Sequence, residues 1–425
     1  MSGTIFALAT PPGRSGVAVI RISGPEAVDT AQKICTVPAA GQFCLSNIKD
    51  SGGGLIDRGL ILYFAHGASF TGEDVVEIQC HGSLAVIDKM LKTLNKLGCR
   101  DADAGEFTRR ALENGALSLI EVEALADLID AETDAQHDQA IRVFSGSLRQ
   151  DLDRFGAALR QSIALLEATI DFADEDVPVD VRPQVLDTLQ GVVSDVSDLL
   201  ARSAQSDRVR QGFKIAILGA PNVGKSTLLN RIAGEEIAIT SDIAGTTRDI
   251  VTVRLDLNGM LVELADTAGL RDTGDRVESI GVQRALSYAK DADIRVFLDD
   301  GTRFDWLLSP ENGDIVLRPK TDAETDGGIS GKTGAGVQAL LNQISERLRL
   351  SPAADTVLIR ERQKRGLSEM ERGLFDAVAV LSAGGQEEVA VENLYHARRH
   401  LDFVIGRLGV EDVLDDIFLS FCIGK

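Results

Sequence analysis

Gly219-Ala220-Pro221-Asn222-Val223-Gly224-Lys225-Ser226 reads G-x-x-x-x-G-K-S, set between the apolar run Phe213 to Leu218 and a helix-forming run that opens at Thr227. Strand, glycine-punctuated loop and helix in that order make a cradle for phosphate. Gly219 and Gly224, having no side chain, let successive backbone N–H groups converge on a β-phosphate, Lys225 reaches the β and γ oxygens, and the Ser226 hydroxyl can ligate Mg²⁺. The expected fold around it is an α/β P-loop domain of the Ras-like kind.

Working outward, Asp266-Thr267-Ala268-Gly269 follows the strand Leu261 to Ala265. It offers a carboxylate for the metal's outer shell and a glycine N–H for the γ-phosphate. Between the two motifs, Gly245-Thr246-Thr247-Arg248-Asp249 offers Thr247 as the hydroxyl that completes a Mg²⁺ shell. The base is read at Arg318-Pro319-Lys320-Thr321-Asp322. Asp322 can accept from both N1–H and the 2-amino group of guanine, whereas adenine would leave the carboxylate unpaired, so guanine is the expected base. Proteins of this kind usually carry Asn where this chain has Pro319, so one side-chain amide contact is missing. Ser330-Gly331-Lys332 resembles the last base-contacting loop, which gives backbone N–H to the guanine oxygen.

The residue after Asp-Thr-Ala-Gly is Leu270, where Ras-like enzymes use Gln to orient the attacking water. An aliphatic group cannot do that. The nearby acids are Asp272, Asp275 and Glu278, and the charge of an arginine finger falls to Arg248, Arg271, Arg276 or a monovalent cation. Asn222 and the loop Ser241-Asp242-Ile243-Ala244-Gly245-Thr246 offer oxygen donors of the kind that suit hard cations. Taken singly, each of these charges is also what any solvated loop carries.

The chain has 425 residues, enough for two or three domains, and is 44% hydrophobic. Its net charge of −21 argues against a long phosphate-tracking surface, so any contact with RNA should be local or delegated to a partner. Cys35, Cys44, Cys80, Cys99 and Cys422 are odd in number and form no C-x-x-C pair, which fits a reduced cytoplasmic protein better than zinc or disulfides. No apolar run approaches the length of a membrane span, and no export signal opens the chain.

Residues 1–116 carry short strand-like runs, Val17 to Ile22, Gly59 to Phe64 and Val75 to Cys80, with a helix from Leu84 to Leu97: an α+β domain. From Leu117 the pattern is helical, with Leu117, Ile120, Ala124 and Leu128, then Leu148, Leu152, Phe155, Leu159, Ile163, Leu166 and Ile170 on one stripe. Pro178 and Pro183 are expected to break it, with a further helix from Val185 to about Ala204. Helical texture returns with Leu367, Met370, Leu374, Val378 and Leu381, then Leu394, Ala397, Leu401, Val404 and Leu408. The expected organisation is therefore 1–116, a helical domain of 117–210 plus 350–425, and a nucleotide domain, 211–349, inserted in it.

Three separated signatures then coincide. Ala9-Thr10-Pro11-Pro12-Gly13-Arg14 with Arg21-Ile22-Ser23-Gly24, Phe70-Thr71-Gly72-Glu73-Asp74-Val75-Val76-Glu77 with Cys80-His81-Gly82, and Gly105-Glu106-Phe107-Thr108-Arg109-Arg110-Ala111 resemble the folate-binding domain of the tRNA uridine-5-carboxymethylaminomethyl modification GTPases, the MnmE or TrmE family. Glu123 to Ala131 and the ending Phe421-Cys422-Ile423-Gly424-Lys425 match as well, so the resemblance covers the whole chain.

The resemblance implies a potassium-stimulated GTPase that works with a flavin- and NADH-dependent subunit of the MnmG family on the wobble uridine of tRNA. The one-carbon unit would come from a tetrahydrofolate derivative, the 5-formyl or 5,10-methylene form, and the product would carry an aminomethyl or carboxymethylaminomethyl group at C5. It also implies a homodimer through the N-terminal domain. Carried over by position, Glu278 is the catalytic residue that orients water; Asn222, Ser241, Ile243 and Thr246 ligate K⁺; Ser226 and Thr247 ligate Mg²⁺; and Arg21, Glu77 and Lys425 hold the folate. The GTP set is Asn222, Val223, Gly224, Lys225, Ser226 and Thr227, then Ser241, Asp242, Ile243, Ala244, Gly245, Thr246 and Thr247, then Asp266, Thr267, Ala268 and Gly269, and around the base Lys320, Asp322, Ser330, Gly331 and Lys332. Ala116 replaces a lysine that contacts folate in the family. An alternative is a GTP-controlled assembly scaffold with incidental hydrolysis; an Era-like ribosome-assembly GTPase would share the nucleotide motifs but not the two ends of the chain.

Overall fold

A computed structural model describes residues 3–171, 180–235, 237–239, 251–266, 286–301, 308–322, 327–349 and 360–408, together with Leu414, Ile417, Phe418, Phe421 and Gly424. It divides into two compact units, residues 1–126 with 398–425, and residues 127–397.

In the first unit the strands are β1 (Ile5–Leu8), β2 (Ser15–Ser23), β3 (Phe43–Lys49), β4 (Leu55–Phe64), β5 (Val75–Gly82) and β6 (Arg100–Asp101), in the order β3-β4-β5-β2-β1-β6. Helices α1 (Ala27–Gln32), α2 (Leu84–Lys96) and α3 (Glu106–Glu113) accompany them. Alternation along β2 sends Ile20 and Ile22 to one face, where they join Ile61, Val76, Ile78, Met90 and Leu94 in the main core. Ile5, Ala7, Ala102 and Phe107 form a smaller buried cluster, with Phe70 packed against it. Three strands expected from sequence are present with longer ends, while β1, β3 and β6 escaped notice because they are short or at an edge.

Helix α4 (Leu119–Asp130) gives turns to both units. Its buried residues are Leu119, Ile120, Val122, Glu123, Ala124 and Ala126, so the buried stripe starts at Leu119 and Leu117 is only partly covered. In the second unit follow α5 (Asp134–Phe144), α6 (Ser147–Asp171) and α7 (Arg182–Gln211). Along α6 the stripe is buried from Leu148 to Leu166 as its spacing requires. Helix α6 ends at Asp171, ahead of both prolines; Pro178 lies outside the described residues, and Pro183 sits in the first turn of α7, where its missing N–H has no intrahelical partner to lose. That helix runs to Gln211, seven residues past the expected end, and Gly212 (φ 90°) alone separates it from the next strand.

The nucleotide domain is a seven-stranded sheet made of β7 (Phe213–Gly219), β8 (Ala238–Ile239), β9 (Val251–Leu257), β10 (Met260–Asp266), β11 (Ile294–Leu298), β12 (Ile315–Pro319) and β13 (Gly328–Ile329), in the order β13-β12-β11-β7-β10-β9-β8. The pairings from β10 to β13 are parallel; β9 and β8 pair antiparallel. Helix α8 (Lys225–Ala233) follows β7 directly, and α9 (Val337–Arg349) follows β13. Central strand β7 is buried on both faces, Ile215 and Ile217 toward one cluster and Ala216 and Leu218 toward another, which explains its unbroken apolar run.

After the sheet come α10 (Glu361–Ser382) and α11 (Glu387–Ile405). Helix α10 packs on α7, and Gly373 brings α10 close to α11, since a Cβ there would lie 3.0 Å from Asn393 O and 3.2 Å from Ala397 Cβ. Glu387, at the start of α11, accepts from Thr169 (2.7 Å) and Arg182 (2.7 Å), tying it to α6 and α7. Ala377, rather than Val378, carries the α10 stripe. Leu408 is exposed, because the helix stops at Ile405 and Gly406 (φ 89°) turns the chain away. Among the described residues no helix is long and apolar enough to cross a membrane.

Candidate functional site

Strand β7 ends at Gly219, and the chain turns through Asn222 (φ 60°) and Gly224 (φ 115°) into α8. Both residues sit in the left-handed region, which Gly enters freely and Asn tolerates. The two motif glycines are needed for different reasons. At Gly219 a Cβ would lie 2.9 Å from Leu298 O, so close packing against β11 excludes any side chain. At Gly224 a Cβ would meet nothing, and backbone torsion alone selects glycine.

Lys225 is buried, and its Nζ donates to Gly219 O (2.8 Å) and Ala220 O (3.0 Å), so the ammonium lies along the loop it closes. Ser226 Oγ donates to Asp266 Oδ2 at 2.5 Å. Asp266 is 7% exposed, and its Oδ1 has no hydrogen-bond partner among the described residues. A hydroxyl beside a buried carboxylate with a free oxygen is the donor chemistry of a hard divalent cation, so the residues present fit Mg²⁺.

Across the parallel strand ends lies a pocket of about 420 Å³. The phosphate loop forms one end of it and Pro319, Lys320, Asp322 and the Ser330–Lys332 loop the other. Crevices outside the carboxyl ends of parallel strands are where open α/β sheets bind ligands. Buried Ser330 donates from Oγ to Asp322 Oδ1 (2.8 Å) and accepts from Thr333 N–H (3.2 Å), which fixes the direction of the Asp322 carboxylate. Gly331 rests on the first turn of α8, where a Cβ would stand 2.6 Å from Leu228 N. The base loop and the phosphate loop are thus one packed piece.

Asn222, Val223, Gly224, Thr227, Lys320, Asp322, Ser330, Gly331 and Lys332 all line this pocket. Leu228, Leu298 and Ile329 line it too and were missed; a signal existed for Leu298, the last residue of a central parallel strand. Ser241, Asp242, Ile243, Ala244, Gly245, Thr246, Thr247, Thr267, Ala268, Gly269 and Glu278 lie outside the described residues, as do Arg248, Leu270, Arg271, Asp272, Asp275 and Arg276.

In the first unit, sheet register places Arg21 on β2 directly opposite Glu77 on β5. Arg21 Nε and Nη2 both lie 2.9 Å from Glu77 Oε1, with side chains 19% and 17% exposed. The guanidinium also stands 5.5 Å from the Phe70 ring centre and 5.6 Å from that of Phe107, and donates to Gly424 O at 3.3 Å. Glu77 is therefore not a plain outward strand residue. A carboxylate paired with a guanidinium that itself lies over two aromatic rings can accept from a flat heterocycle with paired donors, so the residues present fit a pterin. Gly424 (φ 103°) is pinned against β1, since a Cβ would lie 2.3 Å from Leu8 O, and Phe418 and Phe421 before it are buried. Lys425 and Cys422 lie outside the described residues.

In the same unit, buried Arg110 and Glu106 centre an ion network that sequence reading did not foresee. Arg110 donates to Glu73 (3.0 Å) and to Glu106 (3.0 Å), Arg100 also donates to Glu106 (2.5 Å), and Ser23 donates to Glu73 (2.8 Å). Burial by itself would raise the Glu106 carboxyl. The hydrogen bonds from Arg100, the Asp103 N–H and Arg110 outweigh it and hold the group below the usual carboxylate range. Burial pushes the Cys80 thiol up to about 11, so it is no thiolate at neutral pH.

Comparison with known proteins agrees at both ends of the chain. Residues 4–116 match the family described as the GTP-binding protein TrmE N-terminus, and residues 119–422 match the MnmE helical domain. A tRNA modification GTPase MnmE from Ruegeria sp. (strain TM1040) is 48% identical over 428 residues, covering 99% of this chain and 100% of its own length. Another of that description, from Cereibacter sphaeroides, is 47% identical over 427 residues, with 99% and 100% covered. Among solved structures, an Era variant from Aquifex aeolicus bound to GDP·AlF₄⁻ is 26% identical, covering 38% of this chain and 66% of its own, with a TM-score of 0.27. With near-half identity sustained over essentially the full length, the chain belongs to the family of tRNA modification GTPases, MnmE.

Proposed function

We propose that this chain hydrolyses GTP in the service of tRNA modification. The observation that carries the reading is the single pocket with a phosphate cradle at one end and an aimed carboxylate at the other. In the reaction, water attacks the γ-phosphorus while the bond to the β–γ bridging oxygen breaks, giving GDP and phosphate. Lys225 and the N–H groups at the start of α8 hold the phosphates, and Asp322 and the Ser330–Lys332 loop hold the base. Mg²⁺, held by Ser226 and Thr247 with Asp266 behind them, would neutralise charge on the β and γ oxygens. Glu278 is assigned the orientation of water, and Asn222, Ser241, Ile243 and Thr246 the binding of K⁺.

The wider reading extends to the wobble uridine, a tetrahydrofolate derivative at Arg21, Glu77 and Lys425, a flavin- and NADH-dependent partner of the MnmG family, and a homodimer in the cytoplasm. Support for pairing comes from β3, an edge strand whose Phe43 (71% exposed) and Leu45 (59% exposed) point outward. The division into an N-terminal domain of 1–116, a helical domain and an inserted nucleotide domain of 211–349 belongs to the same reading.

Hydrolysis of GTP measured in K⁺ and in Na⁺ at matched ionic strength tests the cation, and equal rates would return an arginine to contention. Glu278→Ala separates enzyme from scaffold: wild-type levels of wobble modification in cells, with hydrolysis abolished, would favour the scaffold. Mass spectrometry of wobble nucleosides from a strain without the gene tests the substrate.

A further inference from the structure

Resting on the guanine reading above, we propose that Pro319 gives the N7 edge of the base no fixed donor, so the pocket takes 7-deazaguanine nucleotides as readily as GTP. The imidazole edge of guanine offers only acceptors, N7 and O6, and reading it requires donors. Proline supplies none, since it has neither a side-chain amide nor a backbone N–H.

The strand geometry sharpens the point. Strand β12 pairs with β11 as far as Leu298↔Leu317, and Asp299 N–H donates to Leu317 O at 2.9 Å. Two residues on, the group that would next face β11 is the nitrogen of Pro319, so the ladder ends there and the strands part at the pocket mouth. On its other side β12 continues, with Pro319↔Ile329 in register with β13. Lys320 then turns the chain at φ 59°.

Among the described residues that line the pocket, Lys320 and Lys332 bring mobile ammonium groups at this end and no amide fixed in the base plane. Ser330 Oγ is committed to Asp322 and to Thr333 N–H. Leu298 and Ile329 present apolar walls, and Asn222 and Thr227 belong to the phosphate end. Discrimination therefore falls to Asp322 on the N1 and 2-amino edge, with the loop N–H groups on O6.

The test is competition of GTP, 7-deaza-GTP and ATP against a fluorescent guanine nucleotide on the full chain. Wild type is expected to bind GTP and 7-deaza-GTP within about twofold of each other while rejecting ATP by more than about a hundredfold. In Pro319→Asn, GTP should gain about three- to tenfold and 7-deaza-GTP nothing, the worth of one neutral hydrogen bond. Pro319→Ala, which restores the N–H without an amide, should keep the two guanine nucleotides level. A wild-type preference for GTP over 7-deaza-GTP of about fivefold or more, with ATP still rejected, overturns the proposal and leaves the guanine reading intact. Failure of both guanine nucleotides to outcompete ATP would remove the guanine reading itself. The wild-type ratio decides even if the Asn variant does not fold.

Discussion

The phosphate loop and the Arg21–Glu77 pair are both polar sites on sheets, yet they are assembled in opposite ways. The first is eight consecutive residues whose torsions and neighbours are fixed by a strand on one side and a helix on the other. The second draws on Arg21, Phe70, Glu77, Phe107 and Gly424, which meet only through strand register and the seating of the C-terminal tail. Local sites resist distant change, and sites built from register depend on whatever holds the sheet. In the first unit the ion network of Arg110, Glu106 and Glu73 ties α3 to the segment just before β5.

The largest effect should therefore come from Arg110→Ala, which breaks the buried pair with Glu106 and takes the cation from part-exposed Glu73, and is expected to cost about 3–5 kcal/mol. Denaturant unfolding followed by hydrogen exchange over residues 3–126 would measure it, and a loss below about 1 kcal/mol would mean that register alone holds the site. The same network predicts an acid limb. Because the folded Glu106 carboxyl is lowered, its contribution is present above the ordinary carboxylate range and is lost as pH falls through the folded value. Glu106→Gln should flatten that limb, and an unchanged pH profile would place the titration elsewhere.

Next in size, Lys225→Ala should slow GTP hydrolysis by roughly 10²- to 10³-fold, as loss of a preorganised donor to developing charge does, while unfolding of residues 3–126 stays at wild type. A parallel fall in both would blur the contrast between the two regions. Gly331→Ala should weaken guanine-nucleotide binding by about 1–3 kcal/mol, because the contact it overpacks is Leu228 backbone and cannot yield. Calorimetric titration of GDP reads it, and full affinity would show that the base loop can lift from α8. The smallest expected effect is Thr133→Ala, which removes a capping box at α5 and should cost about 1 kcal/mol in thermal stability, with nucleotide affinity unmoved.

Legibility in the sequence followed the range of the interactions. The α6 stripe from Leu148 to Leu166 could be read because one face recurs every 3.6 residues. Helix α3 could not, since Glu106, Thr108 and Arg110 are polar residues that are nonetheless buried. The burial of Glu106 and Arg110 is offset by their pairing with each other and with Arg100 and Glu73, which arrive from elsewhere in the chain. Helix α7 outran its expected end because Ser203 and Ser206, which read as surface residues, are buried as well.

By itself the sequence determined where the glycine-punctuated loop joins strand to helix, that Lys225, Ser226 and Asp322 belong to one end of the sheet, and where most helices run, since backbone torsion, periodicity and residue chemistry act over a few neighbours. Tertiary structure alone decided why Gly219 and Gly331 must lack a side chain, which carboxylates share an arginine, and that Arg21 lies over two aromatic rings. Those outcomes depend on atoms far apart in the chain, and nothing in either segment specifies the distance between them until the sheets are paired and the helices packed.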